Sequence, residues 1–77
     1  MTIHYEDIRF EIDDEDAHLV EGKKLLYRHH HLAWYDDATD KLVYLHRAVM
    51  GDPQGRNVMF VNRYRSMDYR KQNLKVV

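Results

Sequence analysis

The chain has 77 residues with three glycines, one proline and no cysteine, enough for one small core and incompatible with disulfide staples or thiolate metal sites. Apolar residues at 44% against charged residues at 32% exclude an intrinsically disordered chain. The net charge of −1 hides an uneven distribution: residues 1–22 hold eight carboxylates (Glu6, Asp7, Glu11, Asp13, Asp14, Glu15, Asp16, Glu21) against Arg9 alone, and residues 56–77 hold six cations (Arg56, Arg63, Arg65, Arg70, Lys71, Lys75) against Asp68 alone. The first end is expected to repel nucleic acid and the second to attract phosphate.

In chain order, Ile8, Phe10 and Ile12 alternate with Arg9 and Glu11, the period of a half-buried strand. Asp13 then caps a predicted short helix over residues 14–21, with carboxylates at the positive end of its dipole and Gly22 as its stop. Aromatic and branched residues predict strands over 25–35 and 41–45, joined by the turn formers Asp36-Asp37-Ala38-Thr39-Asp40 into a hairpin. Residues 46–50 predict a helical turn ended by Gly51 and Pro53, and residues 57–62 another strand. Residues 63–68 read as loop, and residues 69–77 as one helical turn followed by a final short strand. The expected fold class is a small, single-domain α+β protein with antiparallel strands and one or two short helices. No stretch approaches the roughly 20 apolar residues of a membrane span, and the opening residues lack a signal peptide's pattern, so a reducing, cytoplasmic setting without membrane contact is the expectation.

Three segments at matching spacing carry a resemblance: Ile12-Asp13-Asp14-Glu15-Asp16, Val43-Tyr44-Leu45-His46-Arg47-Ala48-Val49-Met50-Gly51 and Asp68-Tyr69-Arg70-Lys71-Gln72-Asn73-Leu74-Lys75-Val76. Together they resemble the HNH homing endonucleases of phage and mobile introns, in which Leu-His-Arg-Leu-Ile-Met-Gly leads through Pro-x-Gly to Val-Asp-His-Ile-Asn, and Leu-Asp-Asn-Arg-x-x-Asn-Leu-Arg follows. Pro53-Gln54-Gly55 matches the Pro-x-Gly step, and Val58-Met59-Phe60-Val61-Asn62 falls where the family writes Val-Asp-His-Ile-Asn. The resemblance implies a truncated HNH-like, ββα-metal-derived fold and a phage-encoded origin.

It also implies a metal-binding Asp and a general-base His at the positions of Met59 and Phe60. A thioether cannot hold a hard Mg²⁺ ion, and a phenyl ring cannot take a proton from water. The family's further ligand lies on a helix downstream of Asn-Leu-Arg, and the sequence ends at Val77 before such a helix, so the third ligand is expected to be missing too. The expectation is a protein without catalytic residues, bound metal or cofactor.

Other candidates have plain roles. In a continuous strand His29 and His31 would share one face, giving half a zinc site at most, and surface or packing roles are expected for His29, His30 and His31. His46, in the matched Leu-His-Arg segment, is expected to be a packed histidine. Asp68 and Asn73 resemble family residues that brace the loop by backbone hydrogen bonds. Tyr27, Trp34, Tyr35 and Tyr44 are expected in the core.

Two binding surfaces remain. Glu11, Asp13, Asp14, Glu15 and Asp16 can imitate a row of phosphates and dock on a basic groove. Arg56, Arg63, Arg65, Arg70 and Lys71, interleaved with Tyr64 and Tyr69, form a basic, aromatic stripe suited to nucleic acid or an acidic partner. The leading expectation is a non-catalytic inhibitor that docks on a host nucleic-acid-processing or defence protein, in the manner of an anti-CRISPR protein. The alternative is a weak DNA- or RNA-binding protein that keeps an ancestral docking face, and an active metal-dependent nuclease is the least favoured reading. The exposed final strand would also allow two copies to pair.

Overall fold

A computed structural model describes residues Met1–Val77. Seven short strands form three antiparallel sheets, accompanied by one α-helix and two 3₁₀-helices, an α+β architecture of the expected kind. Strands β1 (Thr2–Tyr5) and β2 (Ile8–Glu11) make the first hairpin, followed by a 3₁₀-helix over Asp14–Leu19. Strands β3 (Leu26–Arg28), β4 (His31–Tyr35) and β5 (Leu42–Tyr44) form a meander, and α1 (Leu45–Val49) follows at once. Strand β6 (Val58–Phe60) pairs with β7 (Leu74–Val76), which a second 3₁₀-helix, Lys71–Asn73, precedes. No helix is long and apolar enough to cross a membrane.

One apolar core joins the three sheets. Phe10 and Ile12 enter it from the first hairpin, Leu32 and Trp34 from β4, Leu45 and Val49 from α1, and Val58, Tyr69 and Leu74 from the C-terminal third. The chain ends are tied together beside it: the Glu11 N–H donates to the Met67 carbonyl at 2.9 Å, and the Tyr69 N–H donates to the Glu11 carbonyl at 2.8 Å. This clasp fixes Tyr69 with its ring fully buried, edge-on to Phe10, where its hydroxyl accepts the Leu32 N–H at 3.0 Å.

Four expectations need correction. The strand expected over residues 25–35 is two strands, because His29 (φ 53°) and His30 (φ 67°) make a tight left-handed turn between Arg28 and His31. Such turns normally carry Asn or Gly, so His-His gave no signal, and His29 and His31 do not alternate along one strand. Strand β1, unforeseen, closes on β2 through Glu6-Asp7, again without glycine and with Glu6 at φ 53°. The segment read as a helix over 14–21 is a 3₁₀-helix, and the Asp13 side chain does not cap it. Trp34 is buried and Tyr44 half-buried, but Tyr27 and Tyr35 are exposed.

Candidate functional site

Alternation along β6 sends Val58 inward and Met59 outward, and Phe60 turns its ring toward the meander. Phe60 stacks on His31 at 5.6 Å between centroids and meets Tyr69 edge-on at 5.4 Å. His31 and His46 stack at 4.1 Å with their planes 25° apart, and Tyr44 lies 5.7 Å from His46. The position of the implied general base is thus occupied by an aromatic pile of Phe60, His31 and His46, while Met59 faces solvent.

Burial, followed by the nearby His31 and Arg47, pulls His46 down to about 4. Burial and then the His30 and His29 charges lower His31 as well. Both rings are therefore neutral at neutral pH, which lets them stack without repulsion. Neither Nδ1 atom has a hydrogen-bond partner. Arg47, beside His46 on α1, spans the next loop: its guanidinium donates to Asp52 at 2.9 Å and to the carbonyls of Pro53 and Arg56 at 2.6 and 2.8 Å.

The two charged ends are largely joined to each other. Lys71 Nζ sits 2.6 Å from the Asp16 carboxylate and 3.0 Å from that of Glu15. The Lys71 backbone N–H donates to Asp13 at 2.9 Å, so Asp13 serves the second 3₁₀-helix rather than its own. Asp16 is buried and cannot belong to an exposed acidic row. Glu11 accepts a hydrogen bond from Thr2. Asp14 lies 3.5 Å from the Met1 ammonium with its side chain 89% exposed, and Glu15, although it also meets Lys71, is 71% exposed; these two carboxylates are the ones that face solvent. Ligand oxygens of Asp13, Glu15 and Asp16 fall within 4.8 Å of one another, and the single Lys71 ammonium is shared between Glu15 and Asp16, closer to Asp16.

The basic stripe also divides. Arg70 grips Asp68 through two bonds of 2.8 Å, which hold the Asp68 carboxyl below its usual range. Arg56 donates to the Val77 carbonyl at 3.1 Å. Tyr69 leaves the stripe for the core. What remains is the loop after β6, where Arg63 lies 5.6 Å from the Tyr64 ring centroid, Tyr64 is 87% exposed and Arg65 reaches Asp68 only at 3.9 Å.

Asn73 holds this loop from below. Its Oδ1 accepts the Asn62 N–H at 3.0 Å, and its Nδ2 donates to the Arg65 and Asp68 carbonyls at 3.1 Å each. The bracing role that the resemblance implies for Asn73 is the geometry observed. Asp68 adds its own bond, accepting the Arg70 N–H at 3.2 Å. Sequence reasoning missed the Asp16–Lys71 junction, since 55 positions separate its partners and nothing local marks either. It likewise missed the difference between Tyr64 and Tyr69, both of which stand next to arginine. No protein-family model matches the chain, and no curated protein and no solved structure matches it.

Proposed function

We propose that this chain is a non-catalytic, HNH-derived, phage-encoded binding protein that docks on and inhibits a host protein of nucleic-acid processing or defence. The observation that carries the reading is the packing of Phe60 against His31 and Tyr69. At the position where the resemblance asks for a proton acceptor, the ring contributes only apolar surface, and the neighbouring imidazoles are built into the same pile. A nuclease centre needs a base aimed at water and oxygen ligands for a divalent ion. Met59 and Phe60 supply neither.

Docking falls to the acidic edge. Asp14 and Glu15 project from the first 3₁₀-helix, and Lys71 together with the Asp13 clasp fixes the helix that carries them. A rigid pair of carboxylates suits a basic surface evolved for phosphate. Supercoiled plasmid incubated with the protein and Mg²⁺ or Mn²⁺ is expected to stay intact, and divalent-dependent nicking would overturn the non-catalytic reading. The double variant Asp14→Lys/Glu15→Lys gives up the exposed Glu15–Lys71 pair but keeps the buried Asp16–Lys71 contact; it is expected to stay folded, with only a small fall in thermal midpoint, and to lose partner capture.

A second reading, nucleic-acid binding, has one observation in its favour. Of Arg56, Arg63, Arg65, Arg70 and Lys71, the structure leaves Arg63 and Arg65 flanking an exposed tyrosine, a combination of cation and aromatic face typical of nucleic-acid contacts.

A further inference from the structure

The loop between β6 and the second 3₁₀-helix has an arrangement that packing does not explain. Tyr64 is the most exposed of the large apolar side chains, at 87%. Its backbone is nevertheless fixed: the Tyr64 N–H donates to Asn62 Oδ1 at 3.0 Å, the Arg65 N–H donates to the Asn62 carbonyl at 3.0 Å, and buried Asn73 binds both flanks of the loop. A rigid loop thus presents a bare ring. Arg63 approaches that ring, and Arg65 stands on its other side in sequence with a 61% exposed side chain. Across the adjoining cleft lies exposed Arg9 of β2. Of the two carboxylates bordering that cleft, Asp68 is paired with Arg70, and Glu11 accepts the Thr2 hydroxyl and keeps its charge, leaving the cations in excess.

We infer that the Arg63-Tyr64-Arg65 loop, with Arg9, is a binding site for single-stranded nucleic acid, in which a base stacks on Tyr64 and the flanking phosphates meet the three guanidinium groups. The inference rests on the second reading above and narrows it to one ligand class and one loop. A tyrosine ring offers every base a stacking face without sequence preference, whereas the bases of a duplex already stack on each other. Arg63 beside the ring, Arg65 next in the chain and Arg9 across the cleft give Tyr64 a cationic setting suited to phosphates. Bracing by Asn73 lowers the ordering cost of binding.

The test is fluorescence anisotropy of the full chain with labelled dT15 and U15, a 15-base-pair duplex and a Glu-rich peptide, each over a salt series. Single-strand binding is expected with a log–log salt slope of roughly −2, the value for about three phosphates on a single strand. Tyr64→Ala is expected to weaken it by roughly tenfold or more, with Tyr64→Phe retaining most of the affinity. Arg63→Glu/Arg65→Glu is expected to abolish binding, and Lys41→Glu, which removes a cation elsewhere, to leave it nearly intact. Because Tyr64 packs on nothing large, its variants keep the parental thermal midpoint, and loss of binding then reads the site itself. The dT15 and U15 arms separate DNA from RNA as the source of the strand. Single-strand affinity unchanged in Tyr64→Ala, or no single-strand binding at 50 mM salt, would overturn the site. Duplex bound more tightly than single strand would overturn the stacking inference while leaving the second reading standing. Preference for the Glu-rich peptide would overturn both and assign the loop to a protein.

Discussion

Lys71 places its ammonium 2.6 Å from the carboxylate of Asp16, a buried acid 55 positions earlier in the chain. The contact joins the first 3₁₀-helix to the second and turns two oppositely charged ends into one seam. Removing the cation leaves a desolvated carboxylate without its strongest partner, which is costlier than the modest worth of an exposed ion pair. Lys71→Ala is therefore expected to lower stability by about 1–2 kcal/mol, read as a fall in urea midpoint at unchanged m-value. In Asp16→Asn, where no charge is stranded, the same Lys71→Ala change is expected to cost much less.

Asn73 makes the second prediction. Its amide satisfies one backbone N–H and two carbonyls of the loop above it, and Asn73→Ala leaves all three without that partner. The expected loss is about 2 kcal/mol, accompanied by faster amide exchange across residues 62–68. Exchange that stays slow there would show that the loop holds itself.

Stability should follow a dome in pH. His46 titrates near 6.5 when unfolded and at about 4 in the fold, so between these values the unfolded chain binds more protons and stability falls as pH drops. The His31 shift adds in the same direction, and the His46 contribution alone is on the order of 3 kcal/mol. Below the ordinary aspartate range Asp68 adds a further loss, because its carboxyl is held low by the Arg70 hydrogen bonds. On the alkaline side burial raises the Tyr69 hydroxyl from 10 to about 12; the unfolded state loses that proton first, and stability falls as pH rises above about 10. Urea unfolding from pH 4 to 11 checks both limbs. His46→Phe, which keeps a ring in the pile, is expected to flatten the acid limb.

Tyr69→Phe isolates one buried bond. The Leu32 N–H loses its acceptor in a region without water access, at an expected cost of about 1–2 kcal/mol. The ring contacts with Phe10 and Phe60 remain. A neutral result would mean that Leu32 finds another acceptor.

Local chemistry made much of this fold legible. Alternation in Ile8-Arg9-Phe10-Glu11 marked β2, turn formers at 36–40 marked the β4–β5 hairpin, and Gly51 and Pro53 marked the end of α1. What local patterns could not carry was pairing across distance. His29-His30 and Glu6-Asp7 turn the chain without the glycine that would announce it, and the charges of Asp16 and Lys71 look like free surface until the fold joins them. The candidate site divides in the same way. Met59 and Phe60 were readable as departures from a motif, but only the structure places Phe60 against His31 and distinguishes exposed Tyr64 from buried Tyr69. A test of docking must accordingly leave Asp13 and Asp16 untouched, since reversing them would break the seam and not merely the surface.

The most direct test of the proposed function is affinity capture from a bacterial host lysate with the tagged protein, with and without nuclease treatment, followed by mass spectrometry. A stoichiometric protein partner that survives nuclease and disappears with Asp14→Lys/Glu15→Lys is expected. Retention of nucleic acid alone, or of proteins that nuclease releases, would contradict it.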